Sequence, residues 1–248
     1  MSMDKNDFLR MPVWYPVLAE HAFVTSFVKL RPEAIGALAA GAGGKSAPGK
    51  EWEKVVRSVI ADLAAPMAGI PGNCFTSVDK CSPTDTERFE LKRGAVYSPQ
   101  SAWRFLASSA KVRAAADRGE VEYICLRPFR RITWPREFRL FIRGGQLNAM
   151  SQYHLIRHFR RLEGMRRHYW RLVSKFIDSI AWKLPAEDLV MDIYITSEEK
   201  VLIIDLNCWG EPTDPLLLRR WDRDWSEPAG IVLMAPPAKL HGDVNVSF

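Results

Sequence analysis

The sequence predicts an α+β fold whose strands run mostly antiparallel. Three observations carry this. Residues 137–143 alternate polar and apolar side chains and meet a second run, 146–152, across Gly144-Gly145. Two apolar runs, 189–195 and 201–207, flank a short polar stretch at 196–200 that reads as a hairpin turn. Long segments at 51–68, 98–117 and 165–182 instead repeat apolar residues at helical spacing.

Along the chain, Met11-Pro-Val-Trp-Tyr-Pro16 leads into an expected strand over 23–30. Residues 36–50, rich in Gly and Ala, read as a flexible loop. The helix at 51–68 follows, with Trp52, Val55, Val56, Val59, Ile60 and Leu63 on one side. Residues 73–78 read as a strand entering a turn-rich segment, 79–85. The helix at 98–117 has Ser98 as N-cap, Pro99 in its first turn and Gly119 beyond its end. A strand is expected at 121–127. In the helix at 165–182, Tyr169, Leu172, Val173, Phe176, Ile177 and Ile180 share a face. The proline-rich last twenty residues are expected to wrap the surface.

At 248 residues, 47% hydrophobic and with nine Trp, the chain can bury one large core or two smaller ones. No apolar run approaches the roughly 20 residues of a membrane span. The opening residues are polar and mixed in charge, unlike a signal peptide, so a cytoplasmic protein is expected. Cys74, Cys81, Cys125 and Cys208 are scattered, with no C-x-x-C pair, and are expected as reduced thiols. The net charge of +6 is uneven: residues 126–175 hold thirteen Arg or Lys against Glu137 and Glu163, a balance of +11, so the remainder carries −5. Such a segment favours an anionic partner: a nucleotide, an acidic peptide or nucleic acid.

Asp192 and Asp205 carry the most chemical information. If Thr196 pairs with Val201, the two aspartates face each other across the hairpin, with Cβ atoms roughly 5 Å apart. Asn207, two residues on, projects from the same face. Opposed carboxylates among apolar neighbours are costly unless a hard cation neutralises them. These oxygen ligands suit magnesium, which shares its shell with waters and substrate phosphates. The plain alternative is two unrelated acids on a wetted sheet face. Arg139 shares a strand face with Glu137 and needs a partner there, either Glu137 or a phosphate. His154 and His158 have i,i+4 spacing, but their Arg-rich setting favours a basic face over a metal site. Residues 39–46, Ala-Ala-Gly-Ala-Gly-Gly-Lys-Ser, imitate a P-loop without its first Gly, strand or helix, and read as a surface loop.

Further motifs run in order along the chain: W-Y-P at 14–16, S-P-x-D at 82–85, L-R at 126–127, E-F-R at 137–139, S-Q at 151–152, D-I-Y at 192–194, I-D-x-N at 204–207 and G-x-x-T-D at 210–214. This series resembles the cell division cycle protein 123 family. The resemblance implies an ATP-grasp fold: an N-terminal lobe at 1–125, a connector at 126–130, and a C-terminal metal- and nucleotide-binding lobe at 131–248, with a nucleotide cleft between the lobes. It implies ATP and magnesium as cofactors. Asp192, Asp205 and Asn207 match the magnesium positions. Arg127, Pro128, Phe129 and Arg130 match the connector that holds adenine. Glu137, Arg139 and Gln152 match cleft positions, and Ser82 and Asp85 match a turn of the first lobe.

The family's phosphate-contacting lysine is replaced here by Ser77, which leaves Lys80 or Lys92 to take its place. The acidic insertion of eukaryotic members is absent, so a short, divergent member is expected. The resemblance implies carboxylate–amine ligase chemistry through an acyl phosphate, with Arg139 as the catalytic residue stabilising the transferring phosphoryl group and the basic segment attracting an acidic or peptide substrate. The alternative it implies is a non-catalytic, ATP-dependent assembly chaperone for a protein complex, as in eukaryotic relatives. A third reading is RNA binding through the Arg-rich stretch with its interleaved aromatics.

Overall fold

A computed structural model describes residues 7–41 and 50–237. The chain divides into two compact units, 1–132 with 202–206, and 133–201 with 207–248. Residues 42–46 of the P-loop-like stretch lie outside the described residues, as do 238–248.

The first unit opens with helix α1 (Met11–Leu18), continues through strand β1 (Ser26–Lys29), and then forms α2 (Pro32–Ala40) and α3 (Lys50–Ala68). Strand β2 (Cys74–Val78), helices α4 (Glu87–Lys92), α5 (Pro99–Ser108) and α6 (Ala110–Asp117), and strand β3 (Tyr123–Pro128) complete it. β3 lies between β1 and β2, antiparallel to both. Leu38, Leu63, Phe105, Leu106, Ile124 and Leu126 are fully buried in one core shared by the helices and the sheet. Burying each such side chain stabilises the unit by about 1.5–3 kcal/mol.

Two local expectations need correction here, and two further helices were not foreseen. Residues 11–18 are helical, because Pro12 sits in the first turn, where a missing N–H costs nothing. Residues 36–40 continue α2 rather than a loop; Ala34, Ala37 and Leu38 bury its inner face, and Gly41 ends it at φ 76°. Residues 87–92, between the expected elements, form α4, capped by Thr86. The helix at 98–117 is two helices broken at Ser109. That residue is extended, and its hydroxyl accepts the Val112 N–H to start α6. The other start is as expected: Ser98 and Ser101 close a reciprocal capping box on α5.

The second unit contains β4 (Glu137–Arg143), β5 (Gln146–Gln152), α7 (Arg160–Ile180), β6 (Leu189–Ile195) and β8 (Gly230–Val232), together with the ends of β7 (Val201–Cys208), whose residues 202–206 group with the first unit. The sheet order is β7-β6-β4-β5-β8, with β4 antiparallel to β5 and β6, and β8 parallel to β5. β8 was not expected: part of the proline-rich tail forms a sheet edge. Gly144 and Gly145 take φ 57° and 70°, the conformation a tight hairpin turn demands. Helix α7 begins five residues before its expected start, at an Arg-rich turn whose Leu162 is buried.

Alternation along β4 separates two faces. Phe138, Leu140 and Ile142 are fully buried, and Phe138 meets Tyr169 of α7 edge-on at 5.7 Å. Phe141 points the other way, into Trp209, Trp221 and Trp225 at ring distances of 5.6–6.5 Å. Glu137 and Arg139 share that second face.

Candidate functional site

Arg139 and Asp192 are direct register partners on β4 and β6. Their side chains form a two-pronged ion pair, Nε to Oδ1 and Nη2 to Oδ2, both at 2.8 Å. The remaining guanidinium nitrogen, Nη1, donates to the Asp214 carbonyl at 2.8 Å. The Tyr153 ring lies under the guanidinium at 5.4 Å. Burial opposes the Arg139 charge, yet the Asp192 carboxylate overrides it and holds the guanidinium pKa above its ordinary value. Asn207 Nδ2 adds a weaker donation to Asp192 Oδ2 at 3.3 Å.

The carboxylate partner of Arg139 is therefore Asp192 and not Glu137. Glu137 instead pairs with His154 Nε2 at 2.7 Å, and His154 stacks on Trp134 at 5.2 Å. Burial pushes the Glu137 carboxyl up, against the opposing pull of His154. His158 pairs with Glu163 at 3.2 Å, so each of these histidines has a carboxylate that its sequence neighbourhood did not suggest.

The turn of the β6–β7 hairpin differs by one residue from expectation. Thr196 N–H donates to the Lys200 carbonyl, not to Val201, and Glu199 accommodates the turn at φ 62°. A plain ladder from that turn would set Ile204 opposite Asp192. Burial along β7 changes phase, with Val201, Ile203 and then Leu206 buried, and Asn207 accordingly bonds to Asp192. Asp205, half-buried, accepts the Leu206 N–H on Oδ1.

Among the described residues, no group of three His, Cys, Asp or Glu side chains is placed to hold a metal ion. The donor chemistry still fits a hard cation. A carboxylate has about four lone-pair sites; Arg139 and Asn207 engage three on Asp192. The Asn207 amide oxygen adds a further donor.

The cofactor-binding expectations fall into different surroundings. Gln152 lies opposite Phe138, and the register partner of Arg139 is Ser151. Gln152 is buried and spends its amide on the loop after β5, donating to His154 O at 2.5 Å and Arg157 O at 3.0 Å. Asp85 accepts from Ser109 Oγ at 2.5 Å and Lys111 N at 3.1 Å, which fixes the start of α6. These bonds outweigh burial and lower its pKa. Ser82 lies in the preceding turn, where its carbonyl accepts Thr84 N–H. Pro128 pairs with Cys74, Phe129 N–H donates to Asn73 O at 2.8 Å, and Arg130 is exposed.

Arg127 is the unusual member of this set. It is buried, its Nη1 donates to Ile204 O at 3.2 Å, and its Nε has no hydrogen-bond partner. Burial pulls its pKa down, partly offset by nearby Cys125 and Asp205. Its guanidinium stacks on Phe75 at 5.4 Å. A buried cation this incompletely paired costs stability. We expect Arg127→Met to leave unfolding free energy unchanged or raise it by about 1–2 kcal/mol, as read by urea denaturation. A loss above 2 kcal/mol would mean that the cation is fully compensated.

Ser77, at the lysine position, is buried opposite Cys125. Lys80 approaches Asp7 at 3.6 Å and Lys92 donates to Tyr97 at 3.0 Å. All four cysteines are free, and burial pushes Cys81 up to about 12. No helix among the described residues is long and apolar enough to cross a membrane.

Sequence reasoning missed Tyr153, His154 and Trp134 as neighbours of the charged cluster. Asp214 had a signal, since it ends the G-x-x-T-D motif.

The model of the D123 family matches residues 104–227, half of the chain. A translation initiation factor eIF2 assembly protein of Xenopus tropicalis is 32% identical over 94 residues, covering 36% of this chain and 28% of that one. The protein so named in Kluyveromyces lactis is 31% identical over 122 residues, covering 47% and 31%. The matched part thus spans less than a third of the length of these curated relatives. The fold matches a solved structure of Cdc123 from Schizosaccharomyces pombe with a TM-score of 0.74 at 17% identity, covering 96% of this chain and 100% of that one. The α+β fold class expected from the sequence stands.

Proposed function

Since the chain belongs to the D123 family, that of cell division cycle protein 123, we propose that it binds ATP with magnesium and uses it in ligase-type chemistry on an acidic or peptide substrate. The observation that carries this reading is buried charge at the family's motif positions. Arg127 keeps a free Nε donor, and Glu137, Arg139 and Asp192 are buried on strands otherwise filled by apolar residues. Buried charges are costly to a fold, and the two arginines gain value when a polyanion shares them.

In this reading Asp192, Asp205 and Asn207 hold magnesium, which neutralises phosphate charge when bound. Arg127, Pro128, Phe129 and Arg130 hold the adenine end. Arg139, fixed by Asp192, presents a cation to the transferring phosphoryl group, and Glu137 orients His154 beside it. Ser82, Asp85 and Gln152 act by positioning turns and loops. Catalysis then rests on orientation and charge stabilisation.

A second reading is favoured by Ser77 and by the relatives' naming as eIF2 assembly proteins. In it the same nucleotide site gates assembly of a protein complex without phosphoryl transfer. ADP release that requires both a carboxylate and an amine supports the ligase; nucleotide binding without turnover supports the assembly factor.

Thermal unfolding tests the shared premise. Magnesium-ATP at about 100 times its dissociation constant adds about 2.7 kcal/mol, a rise on the order of 5–10 °C for a chain of this size. The absence of any rise would contradict nucleotide binding.

A further inference from the structure

Helix α7 presents a cationic row on its outer face. At about 100° per residue, Arg160, Arg167, Arg171 and Lys175 fall within about 80° of arc. They lie opposite the buried stripe of Leu162, Tyr169, Val173, Ile177 and Ile180. All four are exposed. Among the described residues, none has a carboxylate within ion-pair distance. The nearby acids are engaged elsewhere: Glu163 with His158 at 3.2 Å and Glu199 with His168 at 2.8 Å. Asp178 is the one acid along the row, beyond Lys175. Like charges four residues apart weaken an isolated helix, and Arg167, Arg171 and Lys175 repeat that spacing.

Exposed apolar side chains stand at both ends. Ile156 precedes the helix at 64% exposure, and Trp182 follows it at 79% exposure, with Lys183 over its ring at 5.2 Å. We propose that this face docks an acidic, helix-forming segment of a partner protein, with carboxylates along the cationic row and apolar anchors on Ile156 and Trp182. Nucleic acid fits less well. Single strands are held by aromatic platforms interleaved with the cations. Here Trp170 and Phe159 are only half-exposed, Arg157 lies over Phe159 at 5.1 Å, and an exposed Ile has no base-stacking role. The surface lies within the second unit, and its action is separate from nucleotide binding.

The test uses fluorescence anisotropy with a labelled 18-residue helical peptide carrying Glu at i,i+4 spacing and Leu at both ends. The expected result is saturable binding by the full chain that weakens steeply with salt. Affinity should fall at least tenfold in Arg167→Glu/Arg171→Glu and several-fold in Trp182→Ala. Because these side chains are exposed, the variants should keep the wild-type melting temperature; Arg167→Gln/Arg171→Gln serves as the milder second variant. Any magnesium-ATP thermal shift should persist in all three, which separates this surface from the nucleotide site. Three results would overturn the proposal: no binding by the wild type, equal binding by the folded charge-reversal variant, or tighter binding of a 20-nucleotide single-stranded RNA that is lost in that variant.

Discussion

Replacing Arg139 or Asp192 with alanine is expected to destabilise the protein by about 3–5 kcal/mol. The two side chains are only 9% and 7% exposed and satisfy each other through two bonds of 2.8 Å. Removing either one leaves a charge on the face of β4 and β6 with no water to solvate it. Arg139→Ala also frees the Asp214 carbonyl, and Asp192→Ala deprives Asn207 of its acceptor. At about 2–4 °C per kcal/mol for this chain length, the melting temperature should fall by roughly 6–20 °C. The double variant Arg139→Met/Asp192→Leu should recover most of that loss, because apolar replacement of a buried pair is often neutral or stabilising. Urea midpoints at constant m-value would check this. A single-variant loss below 1 kcal/mol would show that water reaches the pair.

Phe141→Ala should be similarly severe, at about 3–5 kcal/mol. The ring is fully buried and touches three indoles, with centroids 5.6 Å from Trp221 and Trp225 and 6.5 Å from Trp209. These tryptophans anchor the segment after β7, where Trp221 Nε1 donates to Thr213 O and Trp225 Nε1 to Trp221 O. The loss should therefore appear in near-ultraviolet circular dichroism as well as in stability. Phe141→Leu, which fills part of the space, should lose less. Unchanged aromatic signals in Phe141→Ala would contradict the described packing.

What was readable in the sequence was mostly local. Alternation located β4 and β5, Gly144-Gly145 located their turn, and Ser98-Pro99 located the start of α5. The Ser109 break was hidden because both halves keep apolar residues at helical spacing. The Arg139–Asp192 pair was hidden for another reason. It requires β4 to neighbour β6, and β5 and α7 intervene in the chain. The i,i+2 rule joined Arg139 to Glu137 on one face, but register and not proximity in sequence decided which acid it pairs with. The hairpin register was off by one because Glu199 takes a left-handed conformation usually left to Gly. Asn207 reaches Asp192 only through the change of phase within β7. The family motifs located the charged positions, yet they did not separate Gln152 and Asp85, which brace loops and helix starts, from Arg139 and Asp192.

The central claim is that the motif aspartates serve a magnesium-bound nucleotide. Calorimetric titration of ATP into the wild-type chain, with magnesium and then with EDTA, tests it most directly when repeated on Asp205→Asn. The account predicts saturable one-to-one binding with magnesium, weakened at least tenfold by EDTA and by Asp205→Asn, with the variant still folded. Absence of saturable heat in the wild type, or equal affinity in the folded variant, would contradict it.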